Sequence, residues 1–222
     1  MGSITRSFAN NIGSSGILTA SAVTNTTVED VTSFDNAASP ATLVLLSTQT
    51  ASASANISFT TGLDSTYDEY IFKFIDIHPA SQSVFEFNLS TDSGSNYNVT
   101  KTSTFFASFH NEDDDTTSLS YRTSYDLAQS TGFQPLMEDS VDPATNNDVS
   151  GSGTLTLFNP SSTTYVKHFI STCHNMRSGD FAFSNYCAGY GNTTSAINAV
   201  RFQMSSGNID DGIIKLYGVK KS

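Results

Sequence analysis

Four side chains of the types that bind soft metal ions occur in one stretch of the chain: His168, Cys173, His174 and Cys187. Zinc sites usually combine a close pair such as C-x-x-C with a second pair, and this spacing does not match. Strand alternation can also direct these side chains to opposite faces of a sheet. We therefore expect no metal and no cofactor here.

The two cysteines of that stretch, Cys173 and Cys187, are far enough apart to bridge neighbouring strands. The opening residues lack the apolar core of a signal peptide, so the sequence gives no sign of export to an oxidising compartment. The favoured interpretation is a pair of free thiols packed inside the protein.

Acidic residues suggest two further cation sites. Residues Glu112 to Asp115 offer the oxygen ligands that calcium prefers, but four sequence neighbours cannot all face one ion, so a solvated loop is favoured. Asp92, Gly94 and Asn96 share residue types with a calcium-binding loop, but its glycine and distal glutamate are misplaced. A hairpin turn explains these three residues.

Hydrolytic and nucleotide chemistry has little support. The chain contains no G-x-S-x-G, no phosphate-binding loop and no dinucleotide fingerprint. Glycoside hydrolysis needs only two carboxylates across a cleft, so the sequence does not exclude it. The absence of tryptophan argues against a sugar-stacking groove. We expect that the protein is not an enzyme, and glycan degradation is the minor alternative.

Tyrosines could replace tryptophan on a sugar-binding surface. Tyrosine in loops is also common on protein surfaces that bind nothing. The candidates are Tyr67, Tyr121, Tyr125, Tyr186 and Tyr190.

Composition excludes two classes of partner. The chain has 10 basic and 21 acidic residues, for a net charge of −11, and its basic residues are scattered. Nucleic acids require clustered basic residues, and anionic membranes attract them, so neither is expected as a partner. No apolar run approaches the ~20 residues of a membrane helix.

Apolar residues alternate with polar ones over many short segments, which predicts about nine to eleven strands and no helix. Residues 69–77 form the strongest strand. Both of its faces are largely apolar, which predicts a central strand that is covered on both sides. In residues 84–90, Phe85, Phe87 and Leu89 should point inward and Asn88 outward. The glycine-rich residues 177–191 are not predicted to form a strand.

Residues 196–219 predict two strands around the turn-forming sequence SSGNIDDG, which indicates a terminal hairpin. Because such a hairpin must bury its apolar face, earlier strands should form the sheet that it completes. Strands linked by short turns favour an all-β fold, an antiparallel two-sheet sandwich of jelly-roll-like type, over residues 41–222.

Residues 1–40 form a distinct segment in which apolar residues follow no helical or strand period. Such a segment is either disordered or an extended N-terminal arm with a linker. Single apolar residues are distributed along its whole length, which favours the arm. Its predicted partner-binding residues are Ile4, Phe8, Ile12, Ile17, Leu18, Val23, Val28, Val31 and Phe34.

Several segments of the chain carry a resemblance to a known family: residues 45–79, 90–98, 157–169 and 193–221, which include LLSTQTASASANISFTTGLDSTYDEYIFKFIDIHP and LFNPSSTTYVKHF. They resemble virion proteins of marine tailed bacteriophages, a loose family described as fibre-like or capsid-decorating. The opening SITRSFANNIGSSGILTASAVTNTTVEDVTSF is similar to N-terminal segments of phage appendage proteins.

This resemblance implies a structural virion protein, assembled in the host cytoplasm and bound through its arm to capsid or tail subunits. The appendage would be a capsid decoration, a head fibre or a tail fibre. The alternative is a tail-fibre receptor-binding protein that recognises a host surface polysaccharide. The resemblance also implies a homo-oligomer, most simply a trimer. It implies no catalytic residues.

Overall fold

The computed structural model describes residues 42–138 and 148–221, and the predicted arm with its nine apolar contact residues lies outside them. In the described ranges every regular element is a β-strand. The strands are β1 (Leu43–Ser54), β2 (Ile57–Phe59), β3 (Glu69–Pro79), β4 (Phe85–Ser90), β5 (Lys101–Asn111), β6 (Thr117–Tyr121), β7 (Gln134–Pro135), β8 (Gly151–Phe158), β9 (Lys167–Arg177), β10 (Phe181–Gly191), β11 (Ala199–Met204) and β12 (Ile209–Val219).

The strands form two antiparallel sheets that pack as a sandwich, which confirms the predicted fold class. The larger sheet has eight strands in the order β1-β12-β3-β8-β9-β10-β5-β6. The smaller sheet has four, in the order β2-β11-β4-β7. All pairings between neighbouring strands are antiparallel.

The predicted terminal hairpin is wrong, because its two strands lie in different sheets. β11 pairs with β2 and β4, whereas β12 pairs with β1 and β3. Each strand has one apolar face: Phe202 lies on that of β11, and Ile214 and Leu216 on that of β12. Because the two strands lie in opposite sheets, both apolar faces point toward the same core. The residues that connect β11 and β12 therefore cross from the small sheet to the large one.

An aromatic cluster fills the space between the sheets. Its central ring is Phe202, which lies 5.1 Å from Phe72 and 5.2 Å from Phe74, both on the large sheet. On the small sheet it stacks on Phe85 at 5.8 Å, with the two rings 13° from parallel. Since all four rings are buried, this cluster holds the two layers together.

β3 is central in the large sheet, as predicted, but only one of its faces is fully covered. Phe72 and Phe74 are buried in the core, whereas Ile71 and Ile75 on the outer face are only half-buried. The strand also changes face at Asp76, whose positive φ of 49° accompanies a shift in register with both neighbouring strands. This bulge turns Ile77 inward, opposite to the face that simple alternation predicts.

The glycine-rich residues 177–191 contain β10, a strand of eleven residues in the interior of the large sheet. Glycine serves a packing role here, because a Cβ on Gly189 would lie 2.8 Å from the ring of Phe169 and 2.5 Å from the carbonyl oxygen of Thr102. In contrast, the segment SLSYRTSYDL (118–127) has the pattern of a single strand, but β6 ends at Tyr121.

Replacing Phe202 with alanine should lower the free energy of unfolding by about 3–5 kcal/mol, because the cavity would open between the sheets. Phe106, on the outer face of β5, provides the matched control, and Phe106→Ala should cost no more than about 1.5 kcal/mol. Urea denaturation of both variants measures the difference. Equal losses would contradict the assignment of Phe202 as the central ring.

Candidate functional site

Five large apolar side chains form an exposed patch on the outer face of the large sheet, at the end that contains β9, β10, β5 and β6. Their exposed fractions range from 38% to 72%. The members of this aromatic patch are Phe106, Leu119, Tyr121, Ile170 and Tyr186. Large apolar side chains that cluster on a surface mark interaction sites more often than scattered ones do.

Strand register aligns the patch. Tyr121 on β6 lies opposite Phe106 on β5, and Phe106 lies opposite Tyr186 on β10, so three aromatic residues form one row across three strands. The Phe106 and Tyr186 rings are stacked, with centroids 4.9 Å apart and planes within 10°. Leu119 and Ile170 lie diagonally beside this row. The row is therefore a fixed feature of the sheet.

Tyr121 is held in place by its hydroxyl group, which donates a hydrogen bond to Asp126 Oδ2 at 2.5 Å. This hydrogen bond raises the pKa of Tyr121, because it is lost when the phenol ionises. The phenol of Tyr121 is therefore uncharged at neutral pH.

Small hydroxyl side chains surround the aromatic row. Thr104 and Ser108 point outward from β5, Ser184 from β10 and Thr172 from β9. The surface at this end of the sheet thus combines flat aromatic and aliphatic groups with hydroxyls. Such a surface can pack against an apolar protein surface or stack on the apolar face of a sugar ring.

The structure places only two of the five candidate tyrosines, Tyr121 and Tyr186, in this patch. Tyr125 packs on Phe105, with the ring centroids 5.4 Å apart. Tyr67 packs edge-on against Tyr70 at 5.7 Å, and Tyr190 lies beside His168. Phe106, Leu119 and Ile170 were missed by sequence reasoning. The doublet of Phe105 and Phe106 was a usable signal, because consecutive strand residues point to opposite faces.

The soft metal ligands do not come together. On β9, Cys173 points into the core, whereas His168 and His174 are exposed on the outer face. Cys173 and Cys187 are both free and buried, as predicted. Burial raises the pKa of the Cys173 thiol to about 11, so it stays protonated and unreactive at neutral pH.

The carboxylates of the acidic loop bond to its own side chains. Asp115 accepts hydrogen bonds from Asn111 Nδ2 at 2.6 Å and Thr116 Oγ1 at 2.8 Å, which lower its pKa. Asp114 pairs with His110 at 2.9 Å. Within residues 42–138 and 148–221, no three His, Cys, Asp or Glu side chains are grouped to hold a metal ion.

Asp92 organises a turn, although not the predicted hairpin, because β4 and β5 on either side belong to different sheets. Its carboxylate accepts hydrogen bonds from the backbone and side-chain amides of Asn96 and from Ser90 Oγ. The side-chain hydrogen bond from Asn96 is the largest cause that lowers the pKa of Asp92, to about 2.

A lysine side chain is buried in the interior of the sandwich. Lys101 Nζ donates hydrogen bonds to Asn88 Oδ1 and to the carbonyl oxygen of Val99. Asn88 is fully buried, and not outward as predicted, because its amide also donates to the carbonyl oxygens of Tyr97 and Thr131. Burial lowers the pKa of Lys101 to about 7, against the opposing charge of Glu86. These contacts assign Lys101 a structural role.

No protein-family model, curated protein or solved structure matches the chain. Among the described residues, no helix has the length and apolar character required to cross a membrane.

Stability should depend on pH through Lys101. Its pKa is near 10.4 in the unfolded chain and about 7 in the folded one, so between these values the unfolded state binds the additional proton. The contribution of Lys101 to the free energy of unfolding should therefore rise by about 1.5 kcal/mol from pH 7 to 8.5. The two thiols begin to oppose this rise below about pH 8.5, because they ionise near that pH in the unfolded chain and burial raises their pKa values in the folded one.

Urea denaturation of Lys101→Met over the same pH range provides the measurement. This variant should lose most of the rise, whereas Lys215→Met, on the outer face of β12, should retain it. An unchanged pH dependence in Lys101→Met would show that Lys101 is charged in the folded protein.

Proposed function

We propose that this chain is a structural protein of a bacteriophage virion, without catalytic activity. In this proposal the N-terminal arm, residues 1–40, attaches it to capsid or tail subunits. The β-sandwich is then displayed on the particle as a capsid decoration or fibre-like appendage. The protein would be assembled into the virion in the host cytoplasm, and its partners would be other virion proteins.

The aromatic patch is the structural observation that best supports an interaction role. Its five side chains lie on a rigid sheet, carry no charge and expose large apolar surfaces. Burial of a surface of this kind by another macromolecule is favourable, because it removes apolar groups from water. The resemblance of four segments between residues 45 and 221 to phage virion proteins indicates the assembly in which such contacts would be made.

Self-association is part of this proposal. The resemblance implies a trimer on the particle, since many appendages occupy positions of three-fold symmetry and symmetric homo-oligomers are common.

A second candidate function is the recognition of a host surface polysaccharide by a tail fibre. The observation that favours it is the row of Tyr121, Phe106 and Tyr186, because aromatic rings on a flat sheet can stack on sugar rings. The surrounding threonine and serine hydroxyls can bond to sugar hydroxyls.

The arm should be needed for attachment but not for folding. Deleting residues 1–35 should leave the thermal unfolding transition of the sandwich unchanged, because the described core is formed by residues after Thr42. The same deletion should abolish incorporation into particles, and co-sedimentation with virions measures this.

Immunogold labelling of intact virions supplies the localisation, since label on heads or tails distinguishes a capsid appendage from a tail appendage. A full-length protein that labels no part of the particle would contradict the proposal. A deletion that unfolds the sandwich would contradict the separation of arm and domain.

If the second candidate is correct, Tyr186→Ala should weaken binding to purified host surface polysaccharide by about tenfold, since the loss of one stacked ring costs about 1.5 kcal/mol. Tyr217→Ala is the matched control, because Tyr217 lies on β12, at the far end of the same sheet. Isothermal titration calorimetry measures both. Equal affinities for the two variants would exclude the aromatic row as the sugar site.

A further inference from the structure

Among residues 42–138 and 148–221, β6 is an edge strand with unused backbone groups. Its strand partner within these ranges is β5, and the N–H group of Arg122 and the carbonyl oxygen of Thr116 point toward that strand. Backbone groups alternate in direction along an antiparallel strand. Thr117, Leu119 and Tyr121 therefore direct their N–H and C=O groups away from the sheet, at its free edge.

The other three sheet edges are protected by known devices. β1 is interrupted by a register shift between Leu45 and Ser47 and by a positive φ of 48° at Ala53. β2 has three residues, and β7 has two, one of which is Pro135. Short strands, bulges and proline all prevent edge-to-edge pairing.

β6 has neither a bulge nor a proline, and it is longer than β2 and β7. Its sequence, TSLSY, contains no charge and no proline, and its pairing with β5 has no register shift. The side chain of Leu119 at its centre is 72% exposed, the most exposed large apolar side chain of the described residues. An edge without protection is a template for another strand.

The sequence of β6 is complementary to itself in the antiparallel direction. If Leu119 lies on a two-fold axis, it faces Leu119 of a second copy, Ser118 faces Ser120, and Thr117 faces Tyr121. The last pair joins a β-branched and an aromatic residue, which is a favourable cross-strand combination. This register also aligns the outward backbone groups. Thr117, Leu119 and Tyr121, which carry those groups, each face one of these three residues in the second copy.

We propose that two copies of this protein associate through antiparallel pairing of β6 with β6, which joins their large sheets across a two-fold axis. Each of the three outward-facing residues exchanges two backbone hydrogen bonds with its counterpart. The aromatic patches of the two copies then lie next to each other on one continuous outer face.

Charge favours this antiparallel arrangement. The acidic residues 112–115 directly precede β6, and each copy has a net charge of −11. Antiparallel pairing places the two acidic loops at opposite ends of the contact, whereas parallel pairing would bring them side by side. The contact itself contains only uncharged side chains.

The contact is small, because β6 has five residues. Interfaces below about 1,200 Å² are generally weak, so we expect a reversible dimer that is populated at about 100 μM and dissociates on dilution. On a particle, the tethering of neighbouring copies would raise their effective concentration. The inference is independent of where the protein attaches.

Sedimentation equilibrium of the full-length protein up to about 100 μM tests the proposal. The wild type should shift toward twice the monomer mass, and Leu119→Lys should remain monomeric at least tenfold higher in concentration. Leu45→Lys is the matched control, because Leu45 is an exposed leucine on the opposite edge strand, β1. This control should associate as the wild type does.

A crosslink tests the register. Leu119→Cys should form an intermolecular disulfide under mild oxidation, because paired residues of antiparallel strands have Cα atoms about 5.5 Å apart. Leu45→Cys should not, and the two native thiols are buried and do not interfere.

A monomer at all concentrations, an oligomer that Leu119→Lys leaves unchanged, or equal crosslinking at both positions would overturn the proposal. These results do not depend on particle binding, so failure here is distinguishable from failure of the virion assignment, which labelling of particles tests.

Discussion

The contact of Phe202 with rings from both sheets is the interaction on which the rest of the structure depends. Phe72 and Phe74 reach it from the large sheet, and Phe85 reaches it from the small one. This cluster determines which side chains of the large sheet point into the core. Because side chains alternate along each strand, it also determines which ones point outward. The aromatic patch is therefore positioned by the core beneath it, although no patch residue is part of that core.

The close relation between core and patch is visible along single strands. Phe105 is fully buried and Phe106 is exposed, and the same holds for Phe169 beside Ile170 and for Cys187 beside Tyr186. Substitutions on the outer face can thus change the exposed surface without removing a residue from the interior. The core and the exposed patch are separated at the level of neighbouring residues.

Alternation in the sequence was sufficient to predict the sandwich, the burial of Phe72 and the inward direction of Phe87. It failed where the structure depends on distant contacts. The pattern of β11 and β12 is the same whether they pair or face each other across the core, and only the partners decide. The change of face at Asp76 depends on a local bulge, and the burial of Lys101 and Asn88 depends on hydrogen bonds to each other and to two loops. The patch was missed because it joins two pairs of strands, β5 with β6 and β9 with β10, that are far apart in sequence.

The position of β6 in the strand order has a structural consequence. Thr42 leads into β1 at one lateral edge of the large sheet, and β6 forms the opposite edge, seven strand spacings away. At about 4.8 Å per spacing, the width of the sheet is roughly 30–35 Å. The aromatic row therefore lies at the edge of the sheet opposite β1, and a substitution in β1 leaves its strands without a direct contact to the change.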